Sequence, residues 1–232
     1  MLERNDLLAL HEPLEGIAFI GPLTVEGRAF ETPESLIDWL LASAGERHVF
    51  LKETLNPRVL DVVLRAPRFL AGVRHAFLIR APEEIALSWF ALEQDMRLEG
   101  AVLALHELYV AVQRAGGHDP VVIDSDDLVD RPEATMAAYC NAVGLPFVAD
   151  ALQWEPSERV EWARSARWHR DASASAGFKR TEHPDRSLLI APDEVRQFVA
   201  THQPAYELLK AQRLDVDPSA PATPIERTTT HG

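Results

Sequence analysis

Phe77-Leu78-Ile79-Arg80-Ala81-Pro82-Glu83-Glu84-Ile85-Ala86-Leu87-Ser88-Trp89-Phe90 is the stretch that decides the fold. A short apolar run from Ala76 to Ile79 ends on an arginine. A tight Ala-Pro link follows, then a helical pattern with acids at its start and Ser88 in its second turn. This pattern predicts a buried strand that feeds straight into a helix. In open parallel sheets, ligands bind beyond the carboxyl ends of the strands. An arginine there offers a planar fork for an anion, and a helix start adds backbone N–H groups. Arg80 and Ser88 are therefore candidates to converge on one phosphate. The plainer reading is a strand-end arginine in a surface ion pair and a helix serine bonded to its own backbone.

Similar strand patterns recur on either side. His48-Val49-Phe50-Leu51 and Val121-Val122-Ile123 are short apolar runs bounded by polar residues, and Leu7 to Leu10 is a weaker one. Helical patterns lie between them. Thr32-Pro33-Glu34 supplies an N-cap, a proline at the first helical position and an early acid, ahead of Leu36, Ile37, Leu40 and Leu41. Asn56-Pro57 opens a second helix, which Pro67 is expected to stop. Residues 83–114 read as helix in two pieces around Gly100. Asp130-Arg131-Pro132-Glu133 resembles a capping box, with Met136, Tyr139, Cys140 and Val143 on one face and Gly144 as terminator. Pro192 and Pro204 are each expected to begin a short amphipathic helix. Strands alternating with helices predict an α/β fold, a parallel sheet with helices on both faces. Residues 1–213 read as one domain, and 214–232, rich in Pro, Ala, Ser and Thr, as a disordered tail.

Composition narrows the function. The 232 residues carry 23 Lys+Arg against 36 Asp+Glu, a net charge of −13. That balance argues against nucleic acid and anionic membranes as partners. An acidic protein still binds an anionic small molecule where its cations are gathered, and Arg159, Arg164, Arg167, Arg170, Lys179 and Arg180 are gathered in one segment. The single cysteine, Cys140, permits no internal disulfide and fits a reducing cytosol. Without an apolar run of about 20 residues or a signal-peptide pattern, a soluble cytoplasmic protein is expected. The histidines are scattered and no metal is expected. Asp124, Asp126 and Asp127 follow a strand and read as caps for the next turn.

Phe77 to Phe90 resembles the segment of PAPS-dependent sulfotransferases in which an arginine and a serine eight residues later bind the donor's 3′-phosphate. Val121 to Glu133, followed by a helix and Gly144-Leu145-Pro146-Phe147, resembles the strand, "DDL" turn and helix that come next in bacterial members. Trp162 to Phe178 resembles the family's late nucleotide-side segment, and His11-Glu12-Pro13 resembles the "HEP" of one bacterial and plant subgroup. The resemblance covers roughly residues 7 to 180 and implies a P-loop-NTPase-like parallel sheet flanked by helices. It implies PAPS (3′-phosphoadenosine 5′-phosphosulfate) as sulfuryl donor and a hydroxyl or amine of a small molecule as acceptor. Arg80 and Ser88 then face the 3′-phosphate, with Gly177, Phe178, Lys179 and Arg180 on the nucleotide. Trp162 and Trp168 either join that site or pack into the core.

Sulfuryl transfer asks for an aligned donor, positive charge on the leaving oxygen and a base for the acceptor proton. By the same resemblance, Lys52 sits near the sulfuryl group, and Glu53 is a candidate base where many relatives carry a histidine at the position of Thr54. The alternative for Lys52-Glu53 is a solvated strand end. The family's 5′-phosphosulfate loop lies before the helix that leads into "HEP", whereas only Met1 to Asp6 precede Leu7 here. The first strand and P-loop are therefore expected to be missing, and the isolated chain is expected to be of low stability. A non-catalytic relative that acts as a nucleotide-binding or partner protein remains an alternative. A different P-loop transferase is disfavoured, because no Gly-x-x-x-x-Gly-Lys-Ser/Thr is present.

Overall fold

Leu7–His11 (β1) and His48–Lys52 (β4) form a parallel pair in the computed structural model of the chain, with His11 opposite Lys52 at their carboxyl ends. The described residues are 1–43, 45–93, 101–159, 162, 169–178 and 193–216, without the side chains of 90–93 and 171. Between β1 and β4 run Pro13–Phe19 (α1), the strands Leu23–Val25 (β2) and Arg28–Phe30 (β3), and Pro33–Ala42 (α2). After β4 come Pro57–Leu64 (α3), Pro67–Gly72 (α4), Ala76–Ile79 (β5), Pro82–Glu93 (α5) and Ala101–Ala115 (α6). Val121–Asp124 (β6), Ser125–Asp130 (α7), Pro132–Val143 (α8), Arg170–Ser173 (α9) and Asp193–Lys210 (α10) complete the order.

The four apolar runs are strands, as expected. They pair as two separate parallel ribbons, β1 with β4 and β5 with β6, where one sheet was expected. One hydrophobic core serves both ribbons. Phe77, Ile79 and Val122 are buried in it, and Leu8, Leu10, Val49 and Leu51 pack against it from the other ribbon. α2, α3, α4 and α6 supply the rest, including Leu36, Val59, Val63, Leu70, Val102 and Val112. On the opposite face of β6, Val121 and Ile123 meet Tyr139 and Cys140 of α8 and Leu145. All four β6 residues are consequently buried, as a strand covered on both faces requires. Each of the apolar side chains Val121, Val122 and Ile123 is worth about 1.5–3 kcal/mol of burial.

Local chemistry accounts for most element ends. Thr32 caps α2 by accepting from Ser35 N at 3.2 Å, and Asn56 caps α3 by accepting from Arg58 N and Val59 N. Gly144 ends α8 at φ 71°, as predicted. Two expectations need correction, and two features go beyond what was predicted. Pro67 opens α4 as well as ending the helix before it. Asp130 closes α7, and α8 begins at Pro132 with no side-chain cap, so the proposed capping box is absent. Pro204 lies inside α10 rather than starting a helix, because the buried stripe of Val195, Phe198, His202, Tyr206 and Leu209 runs unbroken past it. The β2–β3 hairpin was not predicted. Its Glu26-Gly27 turn has φ of 50° and 79°, both in the left-handed region that a tight hairpin uses.

The first and the last described segments are tied to the fold. Arg4 is buried, donates to Asp6 Oδ1 at 2.8 Å and reaches the Pro146 carbonyl at 2.7 Å. Leu214 N donates to Val122 O at 2.8 Å, and Arg131 donates to the Val216 carbonyl at 2.9 Å, which carries the packed chain to Val216. Gly117, in the approach to β6, lies against the α4 backbone, and a Cβ there would sit 1.8 Å from the Ala71 carbonyl oxygen. The expected tail beyond Val216 lies outside the described residues.

Candidate functional site

The carboxyl end of the β1–β4 ribbon gathers several ionisable groups. β1 ends at His11 and passes through Glu12 into α1, whose first residue is Pro13. Glu12 adopts φ 48° and ψ 47°, a left-handed conformation disfavoured in a residue that precedes proline. Lys52 holds it there from two directions. The Lys52 carbonyl accepts from Glu12 N at 2.7 Å, and the Lys52 ammonium donates to Glu12 Oε1. Thr54 also donates to Glu12 Oε1 and accepts from Lys52 Nζ at 3.0 Å. Burial pulls the Glu12 carboxyl upward, but the Lys52 and Thr54 hydrogen bonds outweigh it and leave Glu12 below the ordinary carboxylate range.

Glu53 faces the other way. Its Oε1 accepts from Leu14 N at 2.6 Å and its Oε2 from Glu15 N at 3.4 Å, so the carboxyl closes the first turn of α1. Burial pushes Glu53 up to about 8, against the pull of those two amides, with the acids Glu12 and Glu15 adding to the rise. In this geometry Glu53 anchors α1 to the end of β4 and carries its proton at neutral pH.

Two late residues close over this cluster. The His169 ring meets the His11 ring edge-on, with centroids 5.4 Å apart, and Trp162 stacks on His169 at 4.9 Å with an interplanar angle of 21°. Arg159 lies over the Trp162 ring at 5.6 Å. The side chain of His11 has its Nε2 3.5 Å from Glu12 Oε2. Burial lowers the His169 pKa, and His11 and Lys52 lower it further against the opposing charge of Glu12.

The carboxyl end of the β5–β6 ribbon is built differently. Arg80 follows β5 and donates from Nε to Glu84 Oε2 at 3.2 Å, with Glu84 in the first turn of α5. Ser88 is half-buried one turn beyond Glu84, so Ser88 and the Glu84 that holds Arg80 share one face of α5. In register with Ile79 stands Asp124, which is buried, caps α7 by accepting from Asp126 N at 3.0 Å and accepts from Tyr206 Oη at 3.1 Å. Lys210 donates to Tyr206 Oη at 3.0 Å and lies 3.7 Å from Asp124 Oδ2. A guanidinium and a hydroxyl on one face suit a phosphate, provided Glu84 yields its place on Arg80.

The predicted site residues thus fall in three places. Lys52 and Glu53 belong to the first ribbon's end, and Arg80 and Ser88 to the second's. Gly177 bridges to Gln153 in antiparallel fashion, and Phe178 packs edge-on against Trp154 at 5.4 Å. Lys179, Arg180 and Trp168 lie outside the described residues. Sequence reading assigned no chemistry to His11, Glu12, Thr54, Glu84 or Lys210. Glu84 was findable, since it stands four residues from both Arg80 and Ser88. No group of three or more metal-ligating side chains occurs among the described residues, and none of their helices is long and apolar enough to cross a membrane.

A family model described as a sulfotransferase domain matches residues 28–213, which take in β4, β5 and β6 but not β1. The chain belongs to the sulfotransferase family. Among curated proteins, this sulfotransferase-family chain is similar to branched-chain-amino-acid aminotransferase-like protein 2 of Arabidopsis thaliana, with 26% identity over 222 residues, 90% of this chain and 38% of that protein. It is also similar to the aminotransferase-like protein 1 of the same plant, with 24% identity over 178 residues, 75% of this chain and 30% of that one. The chain therefore spans well under half the length of these relatives. Among solved structures, the sulfotransferase domain from the curacin biosynthetic pathway aligns with a TM-score of 0.39 and 14% identity, over 75% of this chain and 68% of that one.

Proposed function

We propose that this sulfotransferase-family protein transfers a sulfuryl group from PAPS to a hydroxyl or amine of a small-molecule acceptor, in the cytoplasm. The observation that carries the reading is the placement of Arg80 at the carboxyl end of β5, bonded to Glu84 on the α5 face that also bears Ser88, inside the matched region. A 3′-phosphate would take the guanidinium from Glu84 and accept from the Ser88 hydroxyl. Lys52, held beside Glu12 and Thr54, would meet the charge that develops on the donor's bridging oxygen. Gly177 and Phe178, with Lys179 and Arg180, would line the nucleotide. Neither an all-protein metal site nor a nucleic-acid partner is part of this reading.

Calorimetry with adenosine 3′,5′-bisphosphate and adenosine 5′-monophosphate tests it. Adenosine 3′,5′-bisphosphate is expected to bind at least tenfold more tightly, because the 3′-phosphate supplies the charge-assisted bonds. Equal affinity for the two nucleotides would remove the 3′-phosphate site.

A further inference from the structure

A carboxylate near Arg80 opposes any anion that arrives there, and the end of β6 buries one. Ile79 is the register partner of Asp124, so Arg80, the next residue after Ile79, leaves β5 beside the Asp124 backbone. Asp124 is only 3% exposed and lies on the same ribbon face as Val122, against the main core. Its Oδ1 accepts from Asp126 N at 3.0 Å and its Oδ2 from Tyr206 Oη at 3.1 Å. These bonds satisfy the oxygens without cancelling the charge. Among the described residues, its one ion-pair partner is Lys210, the last residue of α10, with Nζ 3.7 Å from Asp124 Oδ2. Lys210 also donates to Tyr206 Oη at 3.0 Å and lies over that ring at 5.1 Å. The neighbouring cations Arg131 and Arg213 are paired with Asp127 instead. The Lys210 side chain is 37% exposed, so a cation on the rim is matched to a buried carboxylate.

We propose that Lys210 is a positioning residue of the nucleotide site, which acts through Asp124 by cancelling the buried charge that would otherwise oppose a 3′-phosphate at Arg80. This rests on the function proposed above. Without Lys210, Asp124 keeps two hydrogen bonds and loses its counter-charge. A charge buried at the ribbon end acts beyond contact distance, because little water lies near it to screen it. Tyr206 aligns the pair, since its hydroxyl donates to Asp124 and accepts from Lys210. α10 thereby becomes part of the nucleotide site. The segment that follows it is fixed to the same strand, with Leu214 N donating to Val122 O at 2.8 Å.

The test uses the full chain and the variants Lys210→Met, Lys210→Arg, Asp124→Asn and the double variant K210M/D124N, with circular dichroism to confirm folding. Calorimetry at pH 8, above the carboxylate range, compares adenosine 3′,5′-bisphosphate with adenosine 5′-monophosphate. K210M is expected to weaken the bisphosphate about threefold to tenfold and to leave the monophosphate nearly unchanged. K210R should retain the wild-type affinity. K210M/D124N should recover it to within about twofold, because the charge leaves together with its counter-charge. D124N alone, which keeps an oxygen for the Asp126 amide, should tighten the bisphosphate by about threefold or more. Unchanged bisphosphate affinity in K210M would overturn the proposal. An equal loss from K210M in the wild-type and D124N backgrounds would also overturn it, since Lys210 would then act without Asp124. Should K210M not fold, D124N decides alone, and unchanged or weaker bisphosphate binding in it overturns the proposal. Each of these results leaves the nucleotide site standing. A wild-type chain that does not bind the bisphosphate overturns both readings.

Discussion

The two parallel ribbons end in opposite electrostatic arrangements. At the β1–β4 end, Lys52 and Glu12 are locked together, Glu53 is bonded to the α1 amides, and the backbone of Glu12 is held left-handed by the Lys52 contacts. At the β5–β6 end, Arg80 pairs with Glu84, four residues on, on a helix face that also offers a hydroxyl. The first arrangement is suited to holding fixed groups around a reacting centre. The second is suited to exchanging an internal carboxylate for an incoming anion. A dense cluster of charges is therefore not by itself the anion site, because charges that satisfy one another leave less for a ligand.

The contrast can be broken from the first ribbon with the largest effect. Lys52→Ala removes both the grip on Glu12 and the charge for the leaving oxygen. Turnover with PAPS should fall by about 10²–10³-fold while adenosine 3′,5′-bisphosphate affinity changes little. A parallel loss of binding would mean that the two ends act as one nucleotide site.

Glu53 gives the next largest effect, read in stability rather than in activity. The folded chain keeps the Glu53 proton up to about 8, whereas the unfolded chain releases it near the ordinary value of 4.5. Between those values the unfolded state binds fewer protons, so stability falls as pH rises, by up to about 1.4 kcal/mol per pH unit from this group. Its contribution is fully present below 4.5 and lost as pH rises through 8. Glu53→Gln stays neutral and keeps an acceptor for Leu14 N. Urea unfolding at pH 5.5 and 8.5 should show the decline shrink in E53Q, and an unchanged pH dependence would show that Glu53 is ionised in the folded chain.

A smaller effect sharpens the second ribbon. Glu84→Gln removes the carboxylate that competes for Arg80 and should tighten adenosine 3′,5′-bisphosphate about threefold to tenfold. Weaker binding in E84Q would instead assign Glu84 a role in holding Arg80 in position.

How much of this was legible in the sequence follows the same division. The β5–α5 unit could be read almost entirely, because a buried apolar run, Arg80, Pro82 and Ser88 lie within one local stretch. The capping aspartate was equally local: Asp124 accepts from Asp126 N as its residue type predicts. The β1–β4 end could not be read so well, since His11, Lys52 and His169 meet only through long-range folding. α10 was misread for a related reason. Pro204 costs the helix a backbone hydrogen bond, but the stripe from Val195 to Leu209 packs along α5 and α6 and overrides the local preference. The β2–β3 turn was missed because Glu-Gly is a weaker hairpin signal than Asn-Gly or Asp-Gly.

The account stands or falls on Arg80. Calorimetry of wild type and Arg80→Ala with both adenosine 3′,5′-bisphosphate and adenosine 5′-monophosphate isolates its contribution to the 3′-phosphate. The account predicts that R80A weakens the bisphosphate by about 10–100-fold and leaves the monophosphate nearly unchanged. Equal affinity of wild type and R80A for adenosine 3′,5′-bisphosphate would contradict it.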